Sequence, residues 1–172
     1  MTLEEAKRLP NIDIEDAHLM MGKFRNFSGR PSKYNREGDR NFCVRIEDEE
    51  MAQRLTDDNW KVKILAPREE GDRATNYLQV SVKWNPAFPR LNPKIFLVSG
   101  INGRKTEIDE ETVDMLDDIE IEHVDLSIRP RPWTDDDGVV WIKAYLDTMY
   151  ITDRPDRFAS KYADSDTAMP GA

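Results

Sequence analysis

"VDLSIRPRPWTDDDGVVWIKAYLDTMYIT", residues 124–152, decides the fold. Val124, Leu126 and Ile128 alternate with Asp125, Ser127 and Arg129. That period of two belongs to a strand with one buried face. "TDDDG" at 134–138 is a tight turn. The return strand is the longest in the chain. It puts Val140, Ile142, Ala144 and Leu146 on one face and Trp141, Lys143, Tyr145 and Asp147 on the other. The resulting hairpin carries Arg129, Arg131 and Trp133 near Trp141, Lys143 and Tyr145, so its aromatics share a face with cations. Either this face is open and receives a ligand, or a second β layer covers it.

The rest of the chain reads as β structure around this hairpin. "HLMMGKFRNF" is a strand with a bulge or bend at Gly22. "SGRPSKYNREGDR" (28–40) is a long flexible hairpin loop, and "NFCVRIED" is the strand that follows. Residues 48–59 form a short helix capped by Asp48, with Met51, Ala52 and Leu55 as its apolar stripe. "WKVKILAP" points Trp60, Val62 and Ile64 inward and Lys61 and Lys63 outward. "YLQVSVKW" points Leu78, Val80, Val82 and Trp84 inward, with Tyr77, Gln79, Ser81 and Lys83 outward. "NPAFPRLNP" is a loop, "KIFLVSG" a short strand, and "DEETVDMLDD" a second short helix or structured turn. Together these predict a mainly β chain: an OB-fold-like antiparallel Greek-key barrel with two short helices and elaborated loops. Its expected parts are an N-terminal arm (1–13), the barrel domain (14–153) and a polar C-terminal tail (154–172).

Composition bounds the chemistry. The chain has 172 residues, a net charge of −9, 34% charged residues and one cysteine. No apolar run has the roughly 20 residues of a membrane helix, and no secretory leader is visible at the start. A cytoplasmic setting is expected. Cys43 lies in an apolar strand pattern and reads as a buried structural thiol. His18 and His123 are isolated, without zinc-ligand spacing. No phosphate-binding glycine loop and no G-x-S-x-G elbow is present. "DDDG" lacks the alternating ligands of a calcium loop. The expectation is a protein without catalysis, cofactor or metal.

Charge is distributed unevenly. Residues 22–46 hold seven bases (Lys23, Arg25, Arg30, Lys33, Arg36, Arg40, Arg45) against Glu37 and Asp39. Residues 107–125 hold ten acids and no Lys or Arg. Cations neutralise phosphates and flat rings stack on unpaired bases, the two needs of single-stranded nucleic acid. Along "KFRNF", Lys23, Arg25 and Phe27 share a face and Phe24 turns to the core, leaving Phe27 or Tyr34 as the stacking ring. The expected DNA-binding residues are therefore Lys23, Arg25, Phe27, Arg30, Lys33, Tyr34, Lys61, Lys63, Arg129, Arg131, Trp133, Trp141, Lys143 and Tyr145. A plain solvated hairpin is the competing reading. The acidic run is read as a solvated helix and loop, as a repeller of DNA, or as a DNA mimic that inhibits a nucleic-acid enzyme. A structural β-domain of a larger assembly is a third class.

The C-terminal hairpin, with the earlier "RNFSGRPSKYNREGDRNFCVRI", resembles phage-type single-stranded DNA-binding proteins with an OB-fold. The resemblance spans most of residues 14–152. It implies sequence-independent binding of single-stranded DNA in replication or recombination, without catalysis. It lends weight to Arg129, Arg131, Trp133, Trp141, Lys143 and Tyr145. The partners it implies are single-stranded DNA, with replication or recombination proteins and a second copy of the chain as further candidates, and no membrane. Many such proteins end in a strongly acidic tail; here residues 153–172 hold four acids against three bases.

Overall fold

The computed structural model describes residues 1–159 together with Lys161 and Tyr162. The remainder of the expected polar tail lies outside the described residues. The chain's strands are β1 (Ile12–Ile14), β2 (Arg25–Asn26), β3 (Arg40–Arg45), β4 (Lys63–Leu65), β5 (Thr75–Val82), β6 (Lys94–Val98), β7 (Lys105–Ile108), β8 (Ile121–Thr134) and β9 (Val140–Asp153). The α-helices α1 (Leu3–Ala6) and α2 (Glu49–Asp57) accompany them. The fold is mainly β and OB-like, as the alternation predicts.

β8 and β9 form its spine. They pair antiparallel from Ile121↔Asp153 to Thr134↔Val140. The register slips between Ser127↔Thr148 and Ile128↔Leu146, leaving Asp147 as an extra residue in β9. This bulge shifts the buried set of β9 from Val140, Ile142, Ala144 and Leu146 to Met149 and Ile151. β8 keeps Val124, Leu126 and Ile128 buried throughout. A slip of one residue turns a strand over, and here it keeps both halves of β9 on one core. Pro130 and Pro132 sit beyond the reach of β1, which pairs with Leu126–Ile128. β8 has a free edge there, where a missing N–H costs nothing.

The sheet runs β1-β8-β9-β5-β3-β2, with β4 on β5, and β6 on both β7 and β9. The expected all-antiparallel arrangement is corrected in one respect. β9 pairs in parallel with β5 at Ala144 and Tyr145, and with β6 from Thr148 to Thr152. Its 14 residues let two strands share one edge, and the long connections before it allow parallel crossovers.

The expected barrel is also corrected: among the described residues no ladder joins the two ends of this sheet. Instead, residues 15–20 run as a strap from one end to the other. Ala17 N–H donates to the Val124 carbonyl of β8 at 2.7 Å. Arg45 N–H of β3 donates to His18 at 2.9 Å, and Met20 N–H donates to Cys43 at 2.8 Å. The strand expected across residues 18–27 is thereby broken: a single bridge at Leu19↔Val44 precedes a 3₁₀ turn at Gly22–Phe24 and the short β2. Gly22 has φ +66°, a bend rather than a bulge. The segment expected as an arm is packed onto the sheet, where it buries Ala6 and Ile12.

β4 departs from its pattern too. Ile64, expected inward, is 71% exposed. β4 is an edge strand bonded only to β5, with no second layer above it. The second short helix is a 3₁₀ turn, Val113–Asp117, whose Val113 and Leu116 are fully buried.

Candidate nucleic-acid interface

A groove of about 720 Å³ opens on the outer face of β5 and β9. Its walls are the 34–41 loop, Lys61 and Lys63, the β5 face of Gln79, Ser81 and Lys83, and the Arg131, Trp133, Lys143 and Tyr145 face of the long hairpin. Seven of its lining residues are Lys or Arg and one, Asp39, is acidic, in a chain of net charge −9. Lys61, Lys63, Lys83, Arg131 and Lys143 have no carboxylate within ion-pair distance among the described residues. Their charges are free for a ligand.

Local structure aims these groups. α2 ends at Asp57, and two residues on Asn59, whose φ of +64° is tolerated by Asn, turns the chain onto β9. Asn59 donates from Nδ2 to the Val140 carbonyl at 2.8 Å and accepts from Ile142 N–H at 2.9 Å. Trp60 is buried and bridges to Ile142, so Lys61 emerges beside the tip of the hairpin. Its Nζ lies 4.8 Å from the Trp133 ring centroid and 5.1 Å from that of Trp141. Trp133 and Trp141 are direct cross-strand partners. Asp135 builds the turn between them by accepting from Asp137 N–H and Val139 N–H at 3.0 and 2.8 Å. Its other oxygen accepts from Trp141 Nε1 at 2.8 Å. That indole bond, then the backbone bonds and the Lys61 charge, hold the Asp135 carboxyl below its ordinary pKa.

Tyr34 stands at the mouth, 90% exposed. The loop behind it is tied together by side-chain and backbone hydrogen bonds. Asn35 Nδ2 donates to the carbonyls of Arg30, Arg36 and Asp39 at 2.8–3.1 Å. Gly38 N–H donates to Gly29 at 2.8 Å, and a Cβ on Gly29 would lie 2.9 Å from the Gly38 backbone. Both glycines have positive φ, so the neck of this loop closes only without side chains.

The structure gathers Tyr34, Lys61, Lys63, Arg131, Trp133, Lys143 and Tyr145 in the groove, with Trp141 beside Lys61. Tyr145 is only 8% exposed; Arg131 and Lys143 lie over its ring at 5.6 and 5.3 Å. The residues of the first hairpin go elsewhere. Phe27, expected as a stacking ring, is fully buried with its centroid 5.1 Å from that of Phe42. Its place beside Arg25 on a regular strand face fails because β2 is only two residues long. Phe24, expected in the core, is half-buried against Tyr77. Arg25 is 8% exposed and donates to the carbonyls of Asp117 and Ile119 at 2.8 and 3.0 Å. Arg30 reaches Asp117 at 3.9 Å, and Arg129 pairs with Asp147 at 3.5 Å. Lys23 and Lys33 are exposed beside Phe24 and Tyr34.

The basic hairpin therefore has an internal counterpart. Asp117 is 7% exposed at its side chain and accepts from Phe27 N–H, Ser28 N–H and the Ser28 hydroxyl. Arg40 pairs with Asp114 at 3.3 Å and donates to the Glu110 carbonyl. Arginine clasps fasten the acidic segment onto the hairpin. Sequence reading missed Lys83, Gln79 and Ser81 as groove residues, although the outward face of β5 carried their signal. It also missed Arg36 and Arg40, which reach the groove only because the loop folds back. Cys43 is buried, and loss of hydration pushes its thiol up to about 11, as a structural thiol requires.

Residues 1–170 match the family described as "Putative phage ssDNA-binding domain". No curated protein matches. A single-stranded DNA-binding protein from bacteriophage Enc34 superposes with a TM-score of 0.50 at 9% identity, covering 91% of this chain and 89% of that one. The Enc34 protein in complex with ssDNA gives 0.48 at 9% identity over 86% and 89%. gp2.5, a single-stranded DNA-binding protein encoded by bacteriophage T7, gives 0.42 at 8% identity over 95% and 98%. Of these three, the first is close enough to identify a shared fold. With the family match spanning nearly every residue, the chain belongs to the phage single-stranded DNA-binding domain family.

Proposed function

We propose that this chain binds single-stranded DNA without sequence preference in the groove between the 34–41 loop and the β8–β9 hairpin, and that it serves phage replication or recombination by holding the strand without chemistry on it. The observation that carries this reading is the set of five unpaired cations beside exposed rings in an acidic chain. Each cation is placed to replace the counterions of a phosphate, and each accessible ring offers a face to any base, which favours affinity without base readout. A duplex would present no free base faces to Trp133 or Tyr34. Imitation of DNA by the 107–125 segment is less well supported, because Asp114 and Asp117 are committed to Arg40, Arg30 and the 27–28 backbone.

The test is a tryptophan-fluorescence titration with oligo-dT at several salt concentrations. If all five cations meet phosphates, log K falls against log salt with a slope of about −3.5. Arg131→Ala with Lys143→Ala should lower affinity at low salt and reduce that slope by about 1.4. An unchanged slope in the double variant places the DNA elsewhere.

A further inference from the structure

We infer that the space faced by Trp133 and Trp141 is a subsite for one unpaired nucleobase, and that Lys61 occupies it in the free protein until the base displaces the ammonium. This rests on the groove being the DNA-binding surface.

The geometry is specific. One Nζ lies over two indoles at once, at 4.8 and 5.1 Å. Both rings are built into the hairpin: Trp133 is 39% exposed, and the Trp141 Nε1 bond to Asp135 fixes its ring plane. Among the described residues Lys61 forms no ion pair; the one carboxylate whose titration feels its charge, Asp135, lies beyond ion-pair distance and is already bonded to Trp141 and the turn backbone. Its backbone is anchored by buried Trp60, while the side chain itself is exposed and free to swing. An ammonium over an exposed ring is weakly held, whereas a base stacked on an indole is held more strongly, so the exchange favours the base. The displaced ammonium keeps its charge and moves to the phosphate of the incoming nucleotide. Lys61 thus has two opposed effects on binding. It blocks a stacking site, and it supplies a phosphate contact.

Salt separates these effects, because counterion release makes the phosphate contact far more salt-dependent than the short-range contact of ammonium and ring. Wild-type, Lys61→Ala and Lys61→Arg full-length chains are titrated with oligo-dT from about 50 mM to about 1 M salt, following tryptophan emission. Lys61→Ala should bind more weakly than wild type at low salt, with a slope shallower by about 0.7. At about 1 M salt it should bind about two- to fivefold more tightly, because the site is vacant. Lys61→Arg keeps the slope but binds more weakly throughout, because a planar cation stacks better on the indoles. Free Lys61→Ala should differ from free wild type in emission, and the two should converge once saturated with DNA. If the Lys61→Ala line merely approaches wild type at high salt without crossing it, Lys61 is only a phosphate contact and the inference is overturned. If wild type shows no quenching with oligo-dT at any salt, the groove reading itself fails, and this inference with it.

Discussion

Among single residues, the division of labour between arginine and lysine is the clearest feature of this protein. Arg25, Arg30, Arg40 and Arg129 are engaged within the fold. The free charges of the groove are Lys61, Lys63, Lys83 and Lys143, with Arg131. A guanidinium offers a fixed fork of donors and tolerates burial between carbonyls; an ammonium is a mobile point charge suited to a polymer with no fixed register. Asp117 is the counterpart of the internal arginines. Asp117→Ala leaves two backbone N–H groups and a hydroxyl without their acceptor in a half-closed site. Urea unfolding should show a loss of about 2–5 kcal/mol. A loss below about 1 kcal/mol would mean that water replaces the carboxylate freely. None of this was legible from the hairpin's composition. Arg25 and Arg131 look alike in sequence, and only the proximity of a segment some ninety residues away distinguishes them.

Secondary-structure elements were legible in proportion to their length. β8 and β9 alternate over 14 residues each, and the burial of their apolar face follows the alternation up to the bulge at Asp147; Tyr145 on the other face departs from it, buried under Arg131 and Lys143. Asp147 itself leaves no mark in the sequence, because its position follows from pairing with β8. The end of the strap, 18–20, reads in the sequence as the start of a strand over 18–27. The strap makes one backbone bond to β8 and two to β3, and a segment that passes from one strand to another carries no period of its own. The strap has its own fastenings. His18 Nδ1 meets Glu47, and His123 lies 3.0 Å from both Asp16 and Asp125. Asp16 has φ +51° at the bend and donates its N–H to Asp125. The Asp125 bond, partly opposed by burial and aided by the charges of Asp125 and Asp16, raises the His123 pKa above its ordinary value. The pKa is higher in the folded state, so the imidazolium stabilises the fold fully below about pH 6.5, and that contribution is lost as pH rises through the raised value. Melting temperature should therefore fall from about pH 6 to about pH 8.5 more in wild type than in His123→Gln. Equal slopes would show that His123 does not fasten the strap.

For the molecule as a whole, net charge is a poor guide to what it binds. The value of −9 is an average over a groove with one acid and a 107–125 segment with ten. Sequence showed both charge runs but not that they touch, because contact between them is a matter of topology. It showed a mainly β chain with an aromatic, cationic hairpin face, but not whether that face is open, nor the mixed sheet, because parallel pairing of β9 with β5 and β6 leaves the local pattern unchanged. If local rather than net charge governs association, the rate constant for oligo-dT measured by stopped flow should fall as salt rises, despite the like overall sign of protein and DNA. A rate that rises with salt would show that the overall repulsion wins. Because the cations are gathered at one mouth, a nearby polyanion exerts a torque on the whole particle. If the groove receives the strand, that torque shortens the rotational search, and the protein arrives with its open side turned toward the DNA.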